Sequence, residues 1–157
     1  MTCFEEYVRH NFHRTHQREN AQLGDARRRQ LYVVGRALDL EYSLRALSRA
    51  TEEGRYLRSV QARVGTSRKE LERILDALPI AEVEKMLLAA GAVELIANNE
   101  AAATLAADRI HSATLDFAVK HNGDALADLD PLVPPRSAAD PHRSATATEN
   151  AVGPSDS

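Results

Sequence analysis

The chain has 157 residues, close to the commonest size of a single domain, and 43% of them are hydrophobic, which suffices for one core. An aromatic fraction of 4% without tryptophan favours Leu, Ala and Val packing between helices over an aromatic-rich β-sandwich. A single cysteine, Cys3, excludes an internal disulfide, and no apolar run approaches the roughly 20 residues that span a bilayer. With no signal-like start either, we expect an all-α cytoplasmic protein.

The net charge of −3 conceals two halves of opposite sign. Residues 1–75 carry 15 Lys and Arg against 10 Asp and Glu, whereas residues 76–157 carry 5 against 13. Such polarity is typical of a nucleic-acid-facing segment joined to an acidic one. Self-association of the unlike halves is the alternative interpretation.

The first half of the chain contains two predicted helices. Phe4, Val8 and Phe12 recur every fourth residue and predict a helix over residues 3–18. Asp25 is a suitable N-cap for a long helix over residues 26–53. Its predicted buried stripe consists of Leu31, Val34, Leu38, Leu44 and Leu47.

The middle of the chain predicts a helical hairpin followed by a third long helix. A helix over residues 55–64 is expected to end at Gly65, in the left-handed conformation that glycine favours after a helix. Ser67-Arg68-Lys69-Glu70 has the form of a capping box, so a new helix is expected over residues 67–77. Pro79 precedes a helix over residues 80–121, with possible breaks near Gly91 or Asn98.

The last predicted helix carries a narrow apolar seam formed by Ala106, Ile110, Ala113 and Phe117. A narrow seam suits close helix pairing, within the chain or in a dimer, and we expect a homodimer whose contact includes the C-terminal half of this helix. Residues 124–157 hold five of the six prolines among Ser, Ala, Asp and Thr, a composition typical of disorder. The expected organisation is a helical domain over residues 1–123 and a disordered tail over residues 124–157.

Residues 59–74 resemble the helix-turn-helix of bacterial transcriptional regulators. That family ends one helix with an apolar residue and Gly, starts a second helix after a short turn, and holds the pair together by apolar contacts. Val64, Gly65, Ser67, Leu71 and Ile74 match that order. Gln61 departs from it, because the family places a small residue there for close helix approach.

The resemblance implies a recognition helix over residues 68–77 that would face the major groove of DNA. Its contacting side chains would be Arg68, Lys69, Glu72 and Arg73. Arg27, Arg28 and Arg29 would bind backbone phosphates, in a helical first turn where the macrodipole disfavours cations. The alternatives are an ordinary helical hairpin and a solvated run of charge.

Metal and enzyme chemistry find less support in the sequence. Cys3, Glu6, His10 and His13 would form one stripe of a helix and contain good zinc ligands, but a plain polar face has the same pattern. No phosphate loop, Gly-x-Ser-x-Gly or His-Glu-x-x-His occurs, and Asp108-x-x-His111 is a single pair. We therefore expect no cofactor, no metal and no catalytic activity.

Two functions remain from the sequence. The first is a small bacterial DNA-binding transcriptional regulator that binds duplex DNA through the residue 55–77 hairpin and dimerises. The second is a helical adaptor that binds a protein partner without nucleic-acid contact. A regulator requires residues 27–29 and 68–73 on one continuous basic surface, whereas a scattered arrangement favours the adaptor.

Overall fold

The computed structural model describes residues 24–135, so the predicted helix over residues 3–18 and residues 136–157 lie outside it. The described part is a packed all-α bundle without strands. None of its helices combines the length and the hydropathy needed to cross a membrane. Its elements are α1 (Asp25–Ser48), α2 (Arg55–Ala77), α3 (Ala81–Gly91), α4 (Glu100–Lys120) and a 3₁₀ helix (Asp124–Leu129).

Helix α1 lies at the centre and contacts α2, α3, α4 and the 3₁₀ helix. It is covered on several sides, so its buried residues do not follow one stripe as the sequence predicted. Three polar residues are buried with the apolar ones and require partners within the protein. The buried residues of α1 are Gln30, Leu31, Tyr32, Val33, Gly35, Ala37, Leu40, Glu41, Ser43, Leu44 and Leu47.

Helix α2 is continuous through Gly65, so the predicted helix-turn-helix hairpin is wrong. Glycine in a helix interior costs about 1 kcal/mol relative to alanine, but burial of an uninterrupted apolar stripe offsets that cost. The stripe alternates spacings of three and four residues, which keeps one face of a helix towards the core. It consists of Leu57, Val60, Val64, Ser67, Leu71 and Ile74.

The residues expected to form the turn serve the continuous helix instead. Ser67, the expected N-cap, is buried in the inner face of α2, and Thr66 Oγ1 donates to the Ala62 carbonyl one turn back at 3.0 Å. Gln61, which departs from the family pattern, donates from Nε2 to the Leu95 carbonyl at 2.6 Å. That contact ties α2 to the loop between α3 and α4.

The long helix predicted over residues 80–121 is divided into α3 and α4, as Gly91 and Asn98 indicated. Residues 92–99 form the loop between α3 and α4, and Asn98 adopts a positive φ of 60°. Its backbone N–H donates to the Ala50 carbonyl at 2.7 Å, and its side-chain amide donates to the Thr51 carbonyl at 3.0 Å. Ala50 and Thr51 were predicted to lie in the helix over residues 26–53. In the structure that helix, α1, ends at Ser48, so both residues are free to accept these bonds.

The predicted dimer seam is buried within the chain. Ala106, Ile110, Ala113 and Phe117 belong to the core, and α4 packs against α1 and α3. The seam is narrow because α1 and α3 approach it closely, so its pairing is the one within the chain. A dimer through another surface stays a prediction.

Residues 124–135, expected to begin the disordered tail, also pack against the bundle. Leu126 and Leu129 are buried, and the 3₁₀ helix contacts α1 and α2. Two leucines one turn apart provide an apolar anchor that the average composition of residues 124–157 obscures. The predicted boundary at residue 123 therefore falls too early.

Gly65→Ala tests whether α2 is continuous. Nothing lies within 4 Å of a Cβ at this position. We expect the free energy of unfolding, measured by urea titration, to rise by about 0.5–1 kcal/mol, because alanine is the better residue in a helix interior. A left-handed turn at Gly65 would reverse the sign of the change.

Gly123→Ala is the same substitution at a position where the opposite change in stability is expected. Gly123 has a φ of 88°, and its Cβ would lie 1.9 Å from the backbone oxygen of Ala26. We expect this variant to lose stability, because the backbone of α1 must move to admit the methyl group. Unfolding at the wild-type midpoint would contradict the packing of residues 123–129 on α1.

Candidate functional site

The three arginines predicted to bind phosphate are engaged within the protein. Arg29 donates from Nε and Nη2 to the two carboxylate oxygens of Asp130 at 2.6 and 2.7 Å. Arg28 pairs with Asp25 at 3.2 Å and donates to the Pro134 carbonyl, while Arg27 donates to the side chain of Gln30. The hydrogen bond between Arg29 and Asp130 raises the pKa of the guanidinium and lowers that of the carboxyl group. These contacts hold the residues after α4 against α1.

The three basic residues of the proposed recognition helix lie on the outer half of α2. Arg73 pairs with Glu70 at 3.3 Å, and Arg68 is 4.0 Å from Glu72, so both guanidiniums face a carboxylate of their own helix. Lys69 is exposed. With Gly65 inside a continuous helix, no separate recognition helix brings these side chains forward.

Acidic side chains lie close to the three arginines at the start of α1. The 3₁₀ helix and the residue after it carry exposed Asp124, Asp128 and Asp130, and this helix packs on both α1 and α2. The α1 arginines lie at that end of the bundle, as the bonds to Asp130 and Pro134 show. Arg28 and Arg29 are therefore already paired with acidic groups of this chain.

A buried carboxylate on α1 organises the contact with α4. Glu41 accepts from Arg45 at 2.9 Å and lies 3.2 Å from His111 Nδ1, while Arg45 reaches Asp108 at 3.0 Å. The hydrogen bond to Glu41 is the main reason that the pKa of Arg45 is raised. Asp108 and His111 thus contact α1 as part of a charge network, a role that their spacing alone did not indicate.

The network does not form a metal site. Arg45 supplies the positive charge between the carboxylates, and between residues 24 and 135 no group of three or more His, Cys, Asp or Glu side chains converges on one point. The predicted stripe of Cys3, Glu6, His10 and His13 lies outside the described residues.

A second buried carboxylate joins α3 to the end of α4. Glu82 accepts from Lys120 Nζ at 2.8 Å and lies 3.1 Å from His121 Nε2. The imidazole of His121 stacks on Phe117 with ring centroids 4.8 Å apart. Lys120 and then His121 lower the pKa of Glu82 from 4.5 to about 2. The carboxylate is therefore charged at neutral pH and holds the two helices together.

A groove of about 530 Å³ lies between α3 and α4. Leu88, Ala89 and Ala113 give it apolar walls, and its margin carries both charges, from Asp108, Asp116, Lys85 and Arg109. It opens on the side of α4 that faces away from the core.

Four large aliphatic side chains of α3 and α4 are exposed, one of which, Leu88, lines the groove, and we call this surface the α3–α4 face. On α4, three of them lie roughly opposite the buried seam at 100° per residue. Leu115 and Val119 are one turn apart, whereas Asp108 and Ser112 lie between them and Leu105. Exposed apolar side chains close together commonly mark interaction sites. Their exposed fractions are 68% for Leu88, 52% for Leu105, 56% for Leu115 and 87% for Val119.

The sequence contained a signal for this surface. Leu105, Leu115 and Val119 are out of phase with the seam that contains Ile110 and Phe117. A single buried face of α4 therefore cannot include all of its aliphatic residues. A single buried stripe does not account for these positions. Residues that are aliphatic but out of phase with the stripe were the available indication.

No family model matches the chain, and no match was found among curated proteins or among solved structures.

Glu82→Gln tests the ion pair between Glu82 and Lys120 through the pH dependence of the free energy of unfolding. Since the folded pKa of about 2 lies below the ordinary value of 4.5, the pair's contribution is complete above pH 4.5 and is lost as pH falls towards 2. At pH 7 we expect the variant to lose about 1–2 kcal/mol of unfolding free energy, less than the shift alone implies because water screens the half-exposed Lys120.

Glu84→Gln provides the control, because Glu84 is exposed on the same helix and makes no ion pair among the described residues. Urea titrations at several pH values between 7 and 2.5 should show the Glu82→Gln deficit shrinking and the Glu84→Gln curve following wild type. A Glu82→Gln deficit that stays constant over this range would contradict the account.

Proposed function

We propose that the chain is a non-enzymatic helical adaptor that binds an apolar helical segment of a protein partner on its α3–α4 face. The observation that carries the proposal is the exposure of Leu88, Leu105, Leu115 and Val119 on one side of two adjacent helices. An isolated exposed leucine needs no explanation, but four on two adjacent helices form a surface whose burial favours association.

The geometry suits an amphipathic helix laid along the groove. Leu105 and Val119 are separated by 14 residues of helix, or about 21 Å at 1.5 Å per residue. A partner helix of four turns covers that length with apolar side chains at spacings of three and four residues. The groove between Leu88 and Ala113 gives one of those side chains a place to insert.

The charge of the wider surroundings favours a basic partner. Residues 76–135 contain 10 Asp and Glu against 3 Lys and Arg. The groove itself is lined by Asp108 and Asp116 together with Lys85 and Arg109, so the selection comes from the surrounding surface rather than from the groove. A partner helix with Lys or Arg flanking its apolar face would meet complementary charge, which chiefly raises the association rate and the specificity.

A 16-residue amphipathic Leu/Lys peptide serves as the probe for this proposal. In nitrogen–proton NMR titrations we expect shifts at Leu88, Leu115 and Val119, with affinity falling as salt rises. Val119→Asp should weaken binding about tenfold, because removal of a buried valine from the contact costs about 1.5 kcal/mol. Ala62→Asp, which adds the same charge on the exposed face of α2, should leave binding unchanged.

A Leu/Glu peptide of the same pattern is the charge control and should bind more weakly. Equal affinity for the two peptides would refute the proposal that the acidic surroundings select a basic partner. Equal affinity of the wild type and Val119→Asp would refute the site itself.

Duplex DNA is a second candidate ligand, supported by a different observation on α2. Arg55, Arg58, Arg63 and Lys69 are exposed, and within residues 24–135 their side chains form no ion pair. A regulator would then use the outer face of one continuous helix rather than a hairpin. Arg27–Arg29 would contribute less, since their guanidiniums already bind groups of this chain.

Salt-dependent binding to duplex DNA tests the second candidate. If α2 neutralises phosphates, replacing Arg58 and Lys69 together by Gln should weaken binding and reduce the salt slope by about two. The same two substitutions should not change binding of the Leu/Lys peptide. Absence of salt-sensitive binding by wild-type protein to any duplex removes this candidate.

A further inference from the structure

The outer ridge of α4 is nearly symmetric about Ser112. Leu105 and Val119 lie seven residues before and after it, which is about 10.5 Å in each direction along the helix. At 100° per residue the three positions fall within roughly 40° of one another, so they form one line on the side of α4 that faces away from the core. The side chains at its two ends are aliphatic and exposed, 52% at Leu105 and 87% at Val119. An antiparallel helix with the same ridge would therefore match it from end to end.

The charged side chains on the α3 side of this ridge have the same symmetry with opposite signs. Arg109 lies three residues before Ser112 and Asp116 lies four residues after it, and both line the groove between α3 and α4. Both are exposed, and neither forms an ion pair in the described part of the chain. Lys120, one turn beyond Asp116, is bound to Glu82 at 2.8 Å instead. The face thus carries a cation and an anion at similar distances from its midpoint.

The midpoint of the ridge allows two helices to approach closely. Ser112 is small and donates its hydroxyl to the Asp108 carbonyl at 3.1 Å, so its burial would leave no donor unsatisfied. The distance between packed helices depends on the side chains at their contact, and a serine keeps that distance short. The carboxylate of Asp108 is bound by Arg45 of α1 at 3.0 Å. Leu88 lines the groove beside Ser112 and is 68% exposed.

We propose that two copies of this chain associate through the α3–α4 face, with their α4 helices antiparallel about a two-fold axis at Ser112. Such an axis makes the contact isologous, and each residue before Ser112 lies opposite the residue equally far after it in the second copy. Leu105 then packs on Val119 of the second copy, and the symmetric contact forms at the other end. The apolar positions that Asp108 and Ser112 separate within one chain become continuous across the two chains.

The same axis brings opposite charges together twice. Because the axis lies in the plane of the contact, the α3 side of one copy faces the α3 side of the other. Arg109 then lies opposite position 115 of the second copy, next to Asp116, and the symmetric pair forms on the other side of the axis. Acidic side chains elsewhere on the two copies repel one another, so the dimer is reversible rather than permanent.

The dimer does not depend on the proposed partner, but the two compete for the same face. A partner helix must displace the second copy, so its apparent affinity falls as the concentration of the chain rises. Self-association would thus regulate access to the α3–α4 face.

Reversal of one charge tests the register of the two α4 helices. Arg109→Asp places two carboxylates together at both symmetric contacts, and Asp116→Arg does the same with two guanidiniums. Sedimentation velocity over a wide concentration range should show the wild type as a reversible dimer, with self-association of each variant weakened at least about tenfold. Arg63→Asp, which makes the same change on the exposed side of α2, should dimerise like the wild type.

A mixture of the two variants is the decisive sample. One chain with Arg109→Asp and one with Asp116→Arg have opposite charges at both contacts. We therefore expect them to form a heterodimer at a concentration where each variant alone is monomeric. A wild-type chain that stays monomeric at high micromolar concentration would overturn the proposal. A dimer that Arg109→Asp leaves intact, or a mixture that does not associate, would also overturn it.

Titration with the Leu/Lys peptide distinguishes this dimer from the proposed function. We expect the peptide to convert the wild-type dimer into a peptide-bound monomer. Self-association with the expected response to the charge variants, but without peptide binding, would refute the proposed function and leave the dimer standing. Peptide binding by a wild-type chain that stays monomeric would do the reverse.

Discussion

Burial of α1 among the other elements is the constraint on which the rest of the structure depends. Its polar residues lose water on folding, and buried polar groups without partners cost about 1–3 kcal/mol each. Gln30 therefore donates to carbonyls at the end of α4, and Glu41 binds Arg45 beside His111. These directional contacts set the register of α4 along α1, which apolar packing alone specifies less sharply.

The same constraint determines which surfaces are available for function. The inner faces of α2 and α4 are buried in the core, and the guanidinium of Arg29 is bound to Asp130. What remains outward is a basic side of α2 and an apolar side of α3 and α4. The apolar side is the more specific, since an exposed Val119 has no structural use, whereas exposed arginines are ordinary on a helix surface.

The helical class could be predicted from the sequence because apolar periodicity is a strong local signal. The break between α3 and α4 could be predicted because Gly91 and Asn98 interrupt that periodicity. The hairpin did not follow, because Gly65 and Ser67 were interpreted as a stop and a start. The spacing from Leu57 to Ile74, which continues through both residues, was the stronger signal. Apart from Arg45, the partners of Glu41 and Glu82 lie 38 to 70 residues away, beyond any local pattern.

Photo-crosslinking in cells distinguishes the α3–α4 face from the basic side of α2 as the surface that meets the ligand. A photoreactive amino acid is placed at position 119 in one full-length chain and at position 69 in another, and each is irradiated in the producing cells. We expect a discrete protein adduct from position 119 that Leu88→Asp abolishes, and no nucleic-acid adduct from position 69. A nucleic-acid adduct at position 69, with no protein adduct at position 119, would contradict this expectation.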